Sequence, residues 1–278
     1  MRHNSATRAG RIVGFALIFL PLCPLVSQQT SKPQSSTTAS SGPVLDLSFG
    51  PTGSNAEGKA AAQRFLQAMG GGAKVNAVKS LSQNVVAIRQ GQRFEIDETI
   101  VYPNQQAQRM KLPQGTTLLV VTPSDAFTVV AGYARNLPPT QRAALDATLK
   151  HDFINVLHHI DDPKYIFAAA GHERIAGAEA TIVDVEADGI PTRWWIGTDG
   201  KLLQERYSDM SINETIQTMT YSDWKNFDGL LYPTKYEMFN EARQPQMSMT
   251  LTRMEVNPAV GPQFFQRPIA PDRHTEDQ

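Results

Sequence analysis

Few residues in this sequence stand at spacings that support catalysis. His172-Glu173 opens like the HExxH of a zinc protease, but Ala176 occupies the place of the second histidine, so the metal would lack a ligand. No GxSxG elbow occurs, and the glycines ending at Gly72 run into Ala73-Lys74 without the spacing or the final Ser/Thr of a phosphate-binding loop. Cys23 is the one cysteine, which excludes an internal disulfide and a cysteine zinc site, and it falls in the N-terminal apolar run, where removal of a signal would take it away. The densest polar group is His151, Asp152, His158, His159, Asp161 and Asp162. His151 and His158 are seven residues apart, which on a continuous helix sets them on one face, where an aspartate could help them chelate a metal. Histidines near a helix C-terminus are also favoured by the dipole alone. The reading is therefore of no catalytic residue, no metal and no cofactor: a protein that is not an enzyme.

What remains is a pattern of faces. Within RFEIDETIVY, Phe94, Ile96, Ile100 and Tyr102 share one side of a strand and Arg93, Glu95, Asp97 and Thr99 the other. Thr192, Trp194 and Ile196 alternate with Arg193 and Trp195. Met247, Met249 and Leu251 alternate with Ser248, Thr250 and Thr252. Met219 and Met238 add to a methionine-rich last third, and flexible thioethers suit surfaces that adapt to variable ligands. Such stripes are also what an ordinary core looks like. The dry face is taken as a hydrophobic binding surface for a lipid or an acylated lipoprotein; the alternative is a filled core in an envelope sensor that docks a protein partner.

Ten or eleven short alternating strands, linked by hairpin turns such as Asp199-Gly200 and loops such as Asp228-Gly229, predict one antiparallel meander. Only two helices are expected. The first spans about 56–69, with Ala62, Phe65, Leu66 and Met69 at helical spacing and Gly70 to Gly72 as its stop. The second spans about 138–160, opened by Pro138 and Pro139, with Leu145, Leu149 and Phe153 in its apolar stripe. At about 21 and 33 Å they can cover a curved sheet's mouth as a lid without filling its concavity. The fold class is thus mainly β (α+β): a single curved sheet forming an open half-barrel under two helices.

The chain has 278 residues, enough for one generous all-β domain. Its net charge of −1 and pI near 6.6 offer no basic field, which excludes nucleic acid as a partner. Arg2, Arg8 and Arg11 precede the apolar run from Ile12 to Val26, the plan of a secretory signal and too short for the about 20 residues of a membrane span. We expect a signal peptide at 1–27, a disordered Ser/Thr/Gln-rich tether at 28–54, the folded domain at 55–260 and a flexible tail at 261–278. Export to the bacterial periplasm follows, with membrane tethering if the signal is retained. A monomer is expected. The sequon Asn213-Glu214-Thr215 matters only in a eukaryotic secretory pathway, of which the sequence gives no sign.

The paired Trp194-Trp195, the Asp199-Gly200-Lys201 turn and the Asp228-Gly229 entry followed by Pro233 resemble the outer-membrane lipoprotein-sorting (LolA-like) family, as do the leading helix ending in GGG and the later lid-like helix. The resemblance covers about residues 56–257. It implies an open β-barrel closed by helices, an envelope location, a lipoprotein acyl chain or other lipid as ligand, and no enzyme. Greater length, the polar tether and divergent strands depart from a dedicated carrier, and that carrier's contact residues are not carried onto this sequence.

Overall fold

The computed structural model describes residues 53–209 and 215–268. The expected signal at 1–27, nearly all of the tether at 28–54 and the sequon at Asn213 lie outside the described residues.

Helix α1 (Ala56–Ala68) starts where Asn55 accepts the Gly58 amide at 2.7 Å, satisfying an otherwise orphaned donor. Ala61, Ala62, Phe65 and Leu66 recur three and four apart, so one stripe of the helix is buried. Gly58 belongs to that stripe for a steric reason: a Cβ there would stand 2.5 Å from the Phe167 carbonyl oxygen, so a larger residue would lift the helix off the sheet. A short α2 (Gly72–Asn76) follows, where the glycines predicted only a stop.

The sheet is built from β1 (Ser80–Arg89), β2 (Gln92–Val101), β3 (Gln105–Leu112), β4 (Gly115–Val121), β5 (Ala126–Val130) and β6 (Tyr133–Asn136), which step in order to one edge. Helices α3 (Pro139–His151) and α4 (Phe153–His158) then carry the chain to the opposite edge. There β7 (Tyr165–Ile175), β8 (Ala178–Ala187), β9 (Ile190–Gly197), β10 (Leu202–Asp209) and β11 (Thr215–Ser222) step back inward. A separate hairpin of β12 (Lys225–Phe227) and β13 (Leu230–Tyr232) precedes β14 (Lys235–Asn240) and β15 (Pro245–Val256). Because β15 pairs with β1, the thirteen-stranded antiparallel sheet is two meanders joined in the middle rather than the single meander expected. Its edges, β6 and β7, do not meet, which leaves an open half-barrel. Tight turns make this possible: Asp188 and Gly189 both have positive φ, 49° and 83°, the geometry that matches the twist of two paired strands.

The second helix, expected to run unbroken over about 138–160, is interrupted at Asp152. That residue leaves the helical region at φ −51° and ψ 128°, and its Oδ1 accepts the Ile154 and Asn155 amides at 3.0 and 3.2 Å, which starts α4 afresh. An aspartate that caps its own backbone competes with the continuing helix and wins here.

The core sits between the concave face and the helices. Phe65 of α1 meets Trp194 of β9 edge-on at 5.7 Å, and both are fully buried. Each such ring contributes roughly 2–3 kcal/mol through burial. The outer face is less wet than its sequence pattern predicts. Trp195 and Thr99, expected in water, are 3% and 5% exposed. The Trp195 indole donates to Glu173 Oε2 at 2.7 Å under the Arg206 guanidinium at 5.5 Å. Further along, Ala107, Val120 and Phe127 form a small outer cluster, packed against Phe265 of a 3-10 turn at Pro262–Phe265. Arg267 lies 4.7 Å over the Phe127 ring and makes two 2.6 Å bonds to Asp125. The first residues of the segment expected as a tail thus lie on this face.

Candidate functional site

Between the sheet and the α3–α4 break lies a cavity of about 210 Å³. Its apolar wall is Val85 and Ile96 with Ile100 from β1 and β2, Met219 from β11, and Met247 and Met249 from β15. Leu149 and Phe153 cover it from the helices. Period-two alternation places these strand residues inward, as Thr250 shows by being exposed beside Met249.

The remaining wall is polar. Glu98 projects from β2 between Ile96 and Ile100, and its Oε1 accepts the side-chain amides of Gln106 and Gln108, each at 2.6 Å. Burial pushes the Glu98 carboxyl above the usual carboxylate range, and the two amide donors offset only part of this. Asp152, at the helix break, takes three donors on Oδ1: the two α4 amides and the Tyr102 hydroxyl at 3.0 Å. Its carboxyl is nevertheless pushed up to about 6, chiefly by burial and also by the neighbouring Glu98. Both residues keep some accessible surface and line the cavity. Glu205 completes the polar wall. The Trp194 indole donates to its Oε1 at 3.2 Å and the Tyr221 hydroxyl to its Oε2 at 2.6 Å. His151 Nδ1 stands 3.3 Å from Glu205 Oε1, close enough for an ion pair but without hydrogen-bond alignment. Tyr232 accepts a 3.1 Å bond from Gln83, and burial raises the pKa of Tyr221, Tyr232 and Tyr236, so these phenols stay neutral.

Of the residues singled out in the sequence, Ile96, Ile100, Met219, Met247, Met249, Leu149 and Phe153 line this cavity. The others do not. Phe94, Trp194, Ile196, Met238, Leu251 and Leu145 are packed core, with Trp194 sealed beneath α1. Tyr102 touches the site indirectly, through Asp152, and its ring meets His158 edge-on at 5.3 Å. The histidine pair separates: the break at Asp152 turns His151 toward Glu205 and leaves His158 Nε2 on the Val75 carbonyl at 2.9 Å. Among the described residues no group of three His, Cys, Asp or Glu is arranged to hold a metal ion.

The polar wall was missed by the sequence reading. Its signal is present: Glu98 occupies the even position between Ile96 and Ile100, and Gln106 and Gln108 lead to the buried Met110 on the same side of β3. A charged or amide residue in phase with a dry face is the informative exception in such a pattern.

No family model matches the sequence, and no curated protein matches it. Solved structures do. A DUF1329 family protein from Desulfovibrio piger aligns over 75% of this chain and 97% of its own, at 12% identity and a TM-score of 0.50. A putative outer membrane lipoprotein-sorting protein domain from Vibrio parahaemolyticus aligns over 75% and 96%, at 10% identity and 0.49. The LolA superfamily protein NE2245 from Nitrosomonas europaea aligns over 74% and 97%, at 9% and 0.49. What this chain shares with the Desulfovibrio piger structure is the fold.

Proposed function

We propose that this protein is a non-catalytic binder or carrier in the bacterial periplasm, holding the apolar part of a lipid or of an acylated lipoprotein in the cavity beneath α3 and α4. The observation that carries the reading is the wall of Ile96, Ile100, Met219, Met247 and Met249 along a cavity of about 210 Å³. An apolar wall left without packing partners gives up dispersion contacts that an alkyl segment restores. One similar structure is described as a lipoprotein-sorting domain, and the arginine-led apolar run at the N-terminus fits export. Among the described residues no helix is long and apolar enough to cross a membrane.

Saturable binding of the neutral fluorescent probe N-phenylnaphthylamine, displaced by lipid extracted from bacterial envelopes, is the expected result. No fluorescence enhancement at any concentration, with the protein folded, overturns the reading. A second reading has one observation in its favour: the cavity is smaller than the roughly 300–1,000 Å³ of common ligand pockets. On that reading the concavity is mainly core and the protein docks a protein partner, in which case lipid-free protein would capture one partner stoichiometrically from an envelope extract.

A further inference from the structure

We propose that the cavity is specific for an amphiphile whose head is a protonated amine, seated among Glu98, Asp152 and the aromatic rings with its alkyl chain against the methionines. This rests on the binding reading above and adds the chemistry of the head. The first observation is charge. Glu98, Asp152 and Glu205 all line the cavity, and no lysine or arginine does. Buried carboxylates ordinarily have a cationic partner, because an uncompensated charge in a low-dielectric site is costly. Glu205 has three close neighbours in Trp194, Tyr221 and His151. Every hydrogen bond described for Glu98 falls on Oε1, and every one described for Asp152 falls on Oδ1.

The second observation concerns unmet hydrogen bonds. Gln106 and Gln108 are 4% and 9% exposed and line the cavity, yet their Oε1 atoms have no hydrogen-bond partner. Their orientation follows from Glu98, since turning either amide over would set oxygen against oxygen. Two unmet acceptors beside two carboxylates call for a ligand that donates several hydrogen bonds. An ammonium has three donors and no acceptor. Phe153, Tyr232 and Tyr236 add aromatic rings to the same wall, and a ring's π-face attracts a cation. A carboxylate or phosphate head would instead meet like charge and unmatched acceptors.

The test uses three ligands with one tail: octylamine, octanol and octanoate, titrated against the purified protein by calorimetry. Octylamine is expected to bind at least tenfold more tightly than octanol, with octanoate weakest. Glu98→Gln and Asp152→Asn, each near-isosteric and checked for folding by circular dichroism, should each lower octylamine affinity about tenfold and leave octanol unchanged. Octanoate binding as tightly as octylamine, or an amine preference untouched by both variants, overturns the proposal while leaving the cavity reading intact. Should none of the three bind, and N-phenylnaphthylamine also fail, both fall together.

Discussion

Asp152 makes a sharp test of how this site is built. It caps α4, takes the Tyr102 hydroxyl and lies enclosed beside Glu98, with its carboxyl pushed up to about 6 against an ordinary 3.8. A pKa raised by folding means that the fold favours the protonated form. The stability this gives is fully present below the unfolded value and is lost as the pH climbs through about 6. Asp152→Asn removes the titration while keeping an oxygen for all three donors. Between about pH 4.5 and about pH 7.5, a shift from 3.8 to about 6 is worth roughly 2 kcal/mol. Urea denaturation of both proteins at the two pH values measures it, because titrating groups that do not interact with Asp152 cancel in the difference. Relative to wild type, the asparagine variant should gain about 2 kcal/mol on going from the acidic to the neutral condition. A difference that is flat with pH, or that moves the other way, refutes the claim that Asp152 is held as a buried and poorly compensated carboxyl.

Other outcomes follow from the same packing. Met249→Asp should abolish N-phenylnaphthylamine binding, because an unpaired charge on an apolar wall costs several kcal/mol, whereas Met249→Leu should bind within about twofold of wild type. Thr250→Asp, on the outer face of the same strand, should bind as wild type does, and equal binding by folded Met249→Asp would show that the probe sits elsewhere. Phe65→Ala should cost about 3–5 kcal/mol in chemical denaturation, since Phe65 holds α1 to Trp194, Phe153 and Trp224. Tyr102→Phe should cost about 1–3 kcal/mol by removing a donor from Asp152. That loss should be smaller at low pH, where Asp152 is protonated, and a pH-independent loss would contradict the link.

The fold was largely legible in the sequence because its signals are local. Alternation in RFEIDETIVY marked the inward face of β2, and the glycine run from Gly70 marked the end of α1. Long-range facts were harder to read. Nothing near β15 announces that it pairs with β1, some 170 residues earlier, since antiparallel partners share no short-range code. The break in the lid was hidden for another reason: Asp152, following Lys150 and His151, looks like one more polar position on a helix until its side chain is seen capping the following turn. The outer cluster around Phe127 depends on the 3-10 turn reaching back across the sheet, so the burial of Thr99, paired with Ala107, could not be read from alternation; Trp195 is covered separately, by Glu173 and Arg206. At the site, hydrophobicity found the methionine wall but carried no information on which inward residues leave a void and which meet α1. That is why Met247 and Met249 line the cavity while Trp194 and Ile196 are sealed core.

The measurement that bears most directly on the central claim is native mass spectrometry of the protein released gently from bacterial envelopes. The account predicts a stoichiometric bound mass of an amphiphile, lost in Met249→Asp and retained in Thr250→Asp. Wild-type protein that carries no ligand and takes up none from an envelope lipid extract, or a bound mass retained equally by both folded variants, would contradict it.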